Sequence, residues 1–360
     1  MRLHDLFLLK EYDDLEQEKQ GIISAISGLR ADNEDDAKLL DRIYKVLNTG
    51  QIGQNISNAF AVPLEGEPLS DKEKSLVIQD MTTIIAQSDN DFKSLSGMTD
   101  MLEKGGVVDV GALDSPLTTF SNVFQHPAAV KVFHALKNYG TGKKQKGPGE
   151  YALACLTNKI RLAAGEGDLE VDGIGKVELK SAVSSTGGRI GYGGGSQKAK
   201  RAVIDKYAER IPTVMATLGK NKAGSLGLGK FIPPLVQDLP LSDPDSKKLR
   251  EQIASELLTM DMENFAEPII KAFGSTDNAE QIEDEYLKAN FAWYKNRDDF
   301  DALLLCSFPN EKFAMIKNDS DLIAFRRGGN SQSTSISIIP TQAGAGREQW
   351  AQLTLNNAKV

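Results

Sequence analysis

The sequence predicts an α+β protein, a small mixed sheet flanked by helices, with a helical N-terminal region and a C-terminal β meander. Three observations carry that prediction. Up to about residue 105, apolar residues recur at three- and four-residue spacings, the period of a helix face. Residues 167–181 alternate polar and apolar about a Gly-containing turn, the pattern of a half-buried hairpin. From Asp301 onward, short apolar or β-branched runs alternate with turns rich in Pro, Asn and Gly.

Composition bounds the rest. A chain of 360 residues can hold one large core or two to three ordinary ones. Hydrophobic content of 40% and charged content of 26% are those of a soluble globular protein. No run of about eighteen apolar residues exists, so no membrane partner is expected. The first residues are too short in apolar length and too charged for a secretory signal, and a cytoplasmic location is expected, or a virion if the chain is phage-encoded. Cys155 and Cys306 sit in apolar stretches and read as buried, reduced thiols.

The first region, 1–105, is expected to be helical. Its stripes are Leu6, Leu9, Leu15, Ile22, Ile23, Ile26 and Leu29, then Leu39, Leu40, Ile43 and Leu47, then Leu76, Ile78, Met81, Ile84 and Ile85. Residues 48–71, with Gly, Asn and Pro, read as a loop between the last two. The stretch 106–210 is expected to begin the core. His126 and His134 within it have no third ligand nearby and read as packed or surface histidines. A basic loop carrying Lys143, Lys144 and Lys146 leads into a helix expected over 148–164. Pro148 suits its first turn, and Tyr151, Leu153, Ala154, Leu156, Ile160 and Leu162 form its apolar stripe. Glu150 then lies in the first turn, where it either favours the helix dipole or stands as a third acid facing the hairpin. After the hairpin, six of the thirteen residues from Ser184 to Ser196 are Gly. Such a loop lets backbone N–H groups approach phosphate, with Arg189 beside it. It matches neither the P-loop nor the dinucleotide fingerprint. A helix begins near Lys198, Lys200 and Arg201. Residues 211–299 read as a helical insertion. Residues 300–360 read as a meander of strands at 302–306, 313–316, 322–325 and 333–339 that completes the core sheet. Ala302–Cys306 is apolar on both faces, as a central strand is, and the hairpin is its expected neighbour.

The hairpin carries chemistry. Leu169, Val171, Val177 and Leu179 share one face, so the even-numbered residues share the other. A three-residue loop, Asp172-Gly173-Ile174, sets Asp168 across from Glu178, with Lys180 one step further along the same face. Facing residues on a sheet have Cβ atoms about 5 Å apart. Two carboxylates and an ammonium in one patch suit Mg²⁺, which is held by one or two carboxylates plus waters and substrate phosphates. The net charge of −8 argues against a general nucleic-acid coat, yet residues 141–201 hold eleven Lys and Arg against six acids. That basic surplus surrounds the carboxylates and suits a polyanionic substrate.

Glu150 on a helix, Asp168 on one strand and Glu178-Leu179-Lys180 on the next resemble the core of the PD-(D/E)XK nuclease superfamily. The resemblance is close over about 35 residues. It extends loosely to a helix ending near Tyr294 and the strand Ala302–Cys306. It implies a small mixed sheet flanked by helices and an Mg²⁺-dependent deoxyribonuclease using one or two ions, with Mn²⁺ able to substitute. It also implies roles: Asp168 and Glu178 as metal ligands with the Leu179 carbonyl, Lys180 positioning the attacking water, and Glu150 as the helix acid. Lys143, Lys144, Lys146, Arg189, Lys198, Lys200 and Arg201 are the expected DNA contacts. Gly167 stands where the family's motif has Pro. Acid-x-Lys occurs four times in the chain, and only Glu178-Leu179-Lys180 falls on an expected strand with an acid opposite. Two other readings stay open. One is a structural or assembly protein of a phage virion, on an inactive nuclease-like core, with itself or virion proteins as partners. The other is a DNA-binding module without catalysis.

Overall fold

The structure is a computed structural model that describes residues 34–61, 69–139, 147–163, 167–183, 188–190, 197–220, 225–328, 332–340 and 351–355. It shows the α+β class, with a helical N-terminal region and a mixed arrangement of short strands among helices. The chain divides into two compact units, Met1–Leu179 and Lys180–Val360, so the division falls inside one strand.

In the first unit, helices α1 (Glu34–Asn48), α2 (Gly50–Ala61), α3 (Asp71–Ser88) and α4 (Phe92–Glu103) lead. Their stripes bury Leu39, Leu40, Ile43, Leu47, Ile78, Met81, Ile85, Leu95, Met98 and Leu102. The stripe from Leu6 to Leu29 lies outside the described residues. Ser70 and Glu73 form a reciprocal capping box that starts α3. Arg42 ties α1 to α4 through Glu103 at 2.9 Å and Asp100 at 2.5 Å. Helix α2 corrects the expected loop at 48–71. Ile52 and Ile56, one turn apart, are buried, and burial of that face outweighs the poor helix propensity of its Gly and Asn residues.

Two short helices, α5 (Val110–Leu113) and α6 (Phe120–Val123), and a two-residue strand β1 (Thr118–Thr119) precede α7 (Pro127–Leu136). Phe133 meets Phe120 and Phe124, each at 5.0 Å between ring centroids. His126 caps α7, its Nδ1 accepting from the Ala128 N–H at 3.2 Å, and the His134 ring lies 5.7 Å from that of Phe120. His126 thus serves as a helix cap, and His134 lies against an aromatic ring.

Helix α8 (Glu150–Leu156) ends earlier than the expected 148–164, and Ile160–Leu162 is strand β2. The reason lies in the backbone. The Val107 N–H donates to the Leu156 carbonyl at 2.7 Å, and the Asn158 N–H donates to that of Gly105 at 2.9 Å. These bonds draw residues 156–158 into an extended course, with Thr157 at φ −159°. Ile160 and Leu162 then share a face with period two and bury on either side of Arg161. Strand β2 pairs antiparallel with β3 (Leu169–Val171), and β3 with β4 (Gly175–Ser181).

In the second unit, strand β5 (Arg189–Ile190) leads into α9 (Gln197–Lys206), α10 (Pro212–Lys220), β6 (Ser225–Gly227), α11 (Leu228–Asp238), α12 (Pro244–Met262), α13 (Glu267–Ser275) and α14 (Ala279–Asp298). Strands β7 (Ala302–Ser307) and β8 (Lys312–Ile316) form an antiparallel pair from Leu303–Ile316 to Ser307–Lys312. Every residue of β7 is buried, as its two apolar faces foretold. Its neighbour is the chain just past β4, where the Ala182 N–H donates to the Cys306 carbonyl at 2.7 Å.

The expected meander is interrupted. Residues 322–325 belong to helix α15 (Asp319–Arg327), not to a strand. Asn318 caps it by accepting from the Asp321 N–H, acids fill its first turn, and Arg326 and Arg327 fill its last. Strand β9 (Gln332–Pro340) then joins a separate four-stranded sheet of order β5-β10-β9-β6, with β10 at Ala351–Leu355. Among the described residues, no helix is long and apolar enough to cross a membrane.

Cys155 and Cys306 are fully buried, and burial pushes both thiols well above their ordinary range. A disulfide-exchange reagent should therefore label the native protein at least about 100-fold more slowly than the urea-unfolded chain, since only the exposed thiolate reacts. Thiol release followed by absorbance checks this, and equal rates would show that the cores around these residues are open.

Candidate active site

The hairpin forms with the expected register: Leu169 faces Val177, Glu170 faces Lys176 and Val171 faces Gly175. The Val171 carbonyl accepts from the Ile174 N–H at 3.0 Å. Gly173, at the third position of that turn, has φ +80°, which a type II turn requires. Leu169, Val171, Val177 and Leu179 are all buried, so the odd-numbered face is the core face. Burying each such side chain is worth about 1.5–3 kcal/mol, and that sum fixes which face the charged residues take.

The charged face is not uniform. At its turn end, Arg161 on β2 reaches Asp172 at 2.8 Å and Glu170 at 3.4 Å, and these two acids are about half exposed. At the other end, Glu178 is only 6% exposed. Asp168, half-buried just before β3, leaves the regular ladder. Its N–H donates to the Val177 carbonyl at 3.1 Å, and its Oδ2 accepts from the Leu179 N–H at 2.8 Å. The Asp168 carboxylate is thereby held against β4 at the residue between Glu178 and Lys180. Those two lie two apart on one strand, so their side chains leave it on the same side.

Gly167 explains the absence of Pro before Asp168. It has φ +78°, a conformation closed to Pro, whose ring holds φ near −65°. The chain thus enters the strand through a left-handed residue.

Glu150 opens α8, is 1% exposed, and its Oε1 accepts from the Gly147 N–H. Among the described residues, no three His, Cys, Asp or Glu side chains gather as a metal-holding group. A hard cation at Asp168 and Glu178 would therefore rest on two carboxylates, the Leu179 carbonyl and waters, a donor set that fits Mg²⁺. Leu179 itself is buried, and its N–H serves Asp168.

Of the expected DNA contacts, Lys143, Lys144 and Lys146 lie outside the described residues. Arg189 is exposed on β5, opposite Gln352 on β10. Lys198 is exposed on α9. Lys200 is 1% exposed, which corrects its place among surface contacts, because the helix turns that side chain inward. Arg201 pairs with Asp205 at 2.9 Å, one turn along the same helix. One neighbour of Lys180 went unread in the sequence: its Nζ lies 5.7 Å from the centre of the Tyr294 ring. Nothing in local spacing links those two positions.

Comparison of the chain with protein-family models, with curated proteins and with solved structures finds no match.

Gly167→Pro should destabilise the protein by about 2–3 kcal/mol, the cost of an incompatible backbone. Urea denaturation followed by circular dichroism measures it. A change below about 0.5 kcal/mol, the scale of an ordinary surface substitution, would contradict the left-handed entry into the strand.

Proposed function

We propose that this chain is an Mg²⁺-dependent nuclease that hydrolyses DNA phosphodiester bonds, with Mn²⁺ able to replace Mg²⁺. The observation that carries this reading is the burial of Glu178 on the strand against which the Asp168 carboxylate is held. A hairpin whose charges merely face water would leave Glu178 as open as Glu170 and Asp172. Burying a carboxylate costs it hydration, and a bound cation would offset that cost.

Asp168 and Glu178 would hold the ion, together with the Leu179 carbonyl. Mg²⁺, when bound, supplies a polarised phosphodiester, a neutralised transition state and a more acidic water. The Leu179 N–H keeps the Asp168 carboxylate turned toward β4, so the donor is preorganised before any ligand arrives. Lys180, two residues along, would orient the attacking water and offset the charge that develops on the phosphate. Of the expected DNA contacts, Arg189 and Lys198 are exposed and would meet the phosphate backbone. Glu150, on α8, would stand as the helix acid, its Oε1 accepting from the Gly147 N–H.

Incubation with plasmid and linear DNA should give cleavage with Mg²⁺ and none with EDTA. Glu178→Gln and Lys180→Ala should each lower the rate by about 100-fold or more, with melting temperatures near that of the parent. Parental cutting by both variants, or cleavage that persists in EDTA, would overturn the assignment. A separate arm omits DNA. Mg²⁺ at about 100 times its dissociation constant should add about 2.7 kcal/mol of stability, read as a higher melting temperature. The Asp168→Asn, Glu178→Gln double variant should lose that response.

A further inference from the structure

We propose that Tyr294 is a positioning residue for Lys180, and that the face of its ring, rather than its hydroxyl, holds the ammonium in place. The catalytic meaning of this inference rests on the nuclease reading; the contact itself does not. Lys180 Nζ lies 5.7 Å from the Tyr294 ring centroid, inside the roughly 6 Å reach of a cation–π contact. The ring is well placed to act as a fixed surface. Tyr294 is 3% exposed, near the C-terminal end of α14. Phe300 meets it edge-on at 5.2 Å, and the Arg297 guanidinium lies 5.1 Å from it. Arg297 is restrained in turn. It stacks 4.9 Å from the Trp293 ring and makes a two-point bond to Asp298, at 2.5 and 2.7 Å.

A lysine carries much rotamer entropy on a flexible four-carbon stem. An ammonium that must stand beside one water and one phosphate oxygen loses that freedom during each turnover unless it is held beforehand. A buried aromatic face supplies an attraction that opposes this loss. Tyr294 therefore acts on the reaction only through Lys180. Its removal should lower kcat and leave KM nearly unchanged, because DNA still meets the same charges.

The test begins without DNA. Reductive methylation of the full-length protein with isotope-labelled formaldehyde places two methyl groups on each lysine Nζ, and Lys180→Arg identifies the Lys180 signal. In the parent, the Tyr294 ring current should move that signal upfield of the exposed lysines. The displacement should collapse in Tyr294→Leu and persist in Tyr294→Phe. On DNA with Mg²⁺, Tyr294→Leu should lower kcat about tenfold with KM changed less than about twofold, and Tyr294→Phe should recover most of that loss. A parental Lys180 signal at the position of exposed lysines overturns the proposal without any core substitution, so a Tyr294→Leu chain that fails to fold does not protect it. Loss of rate in Tyr294→Phe equal to that in Tyr294→Leu also overturns it, by assigning the effect to the hydroxyl. If the parent cuts no DNA, the nuclease reading fails, while the methyl signal still decides whether the ring holds Lys180.

Discussion

A hydrogen bond of 2.8 Å from the Leu179 N–H to the Asp168 carboxylate sets the geometry on which the candidate site depends. It does two things at once. It ends the regular ladder between β3 and β4, since the Asp168 side chain takes the amide. It also fixes an acidic group beside the strand that carries Glu178 and Lys180. A charge-assisted bond of this kind is roughly twice as strong as a neutral one. The left-handed Gly167 feeds the chain into that position, and the turn at Gly173 holds the register that keeps Leu169 against Val177. Backbone conformation, strand register and the placing of one carboxylate are thus a single constraint.

That constraint acts against an electrostatic cost. Two carboxylates brought to neighbouring strands repel, and a buried one also loses hydration. At the turn end of the same face the protein resolves the conflict with Arg161, which meets both Glu170 and Asp172 in the open. At the other end Glu178 is buried. The two ends of one short face are thus treated differently, which is the observation the proposed site rests on.

Much of this was legible in the sequence, and the failures have physical causes. The hairpin could be read because the alternation of 169, 171, 177 and 179 and the Gly-containing turn each specify the same register. Strand β7 could be read because its apolar run leaves no polar face. Helix α2 was missed because its Gly and Asn residues argue locally against a helix that Ile52 and Ile56 stabilise by burial. The end of α8 was misplaced because Ile160 and Leu162 continue a helical stripe while also fitting period two, and bonds from residues 105–107 decide between the two. Residues 322–325 look like a short apolar strand, yet the Asn318 cap and the charges at both ends make a helix. The pairing of residues 169–171 with 175–177 follows from the alternation, whereas Asp168 leaves that ladder and is placed by its bond to the Leu179 N–H. The inward turn of Lys200 and the ring beside Lys180 depend on tertiary packing, which one-dimensional spacing does not encode.

The most direct measurement is a crystal structure of the protein soaked with Mn²⁺, with anomalous scattering recorded at the manganese edge. The account predicts a peak about 2.1 Å from carboxylate oxygens of both Asp168 and Glu178, close to the Leu179 carbonyl, with the Lys180 ammonium on the same side of the strand. Carboxylates directed to opposite sides of the sheet, with no peak between them at saturating ion, would contradict it.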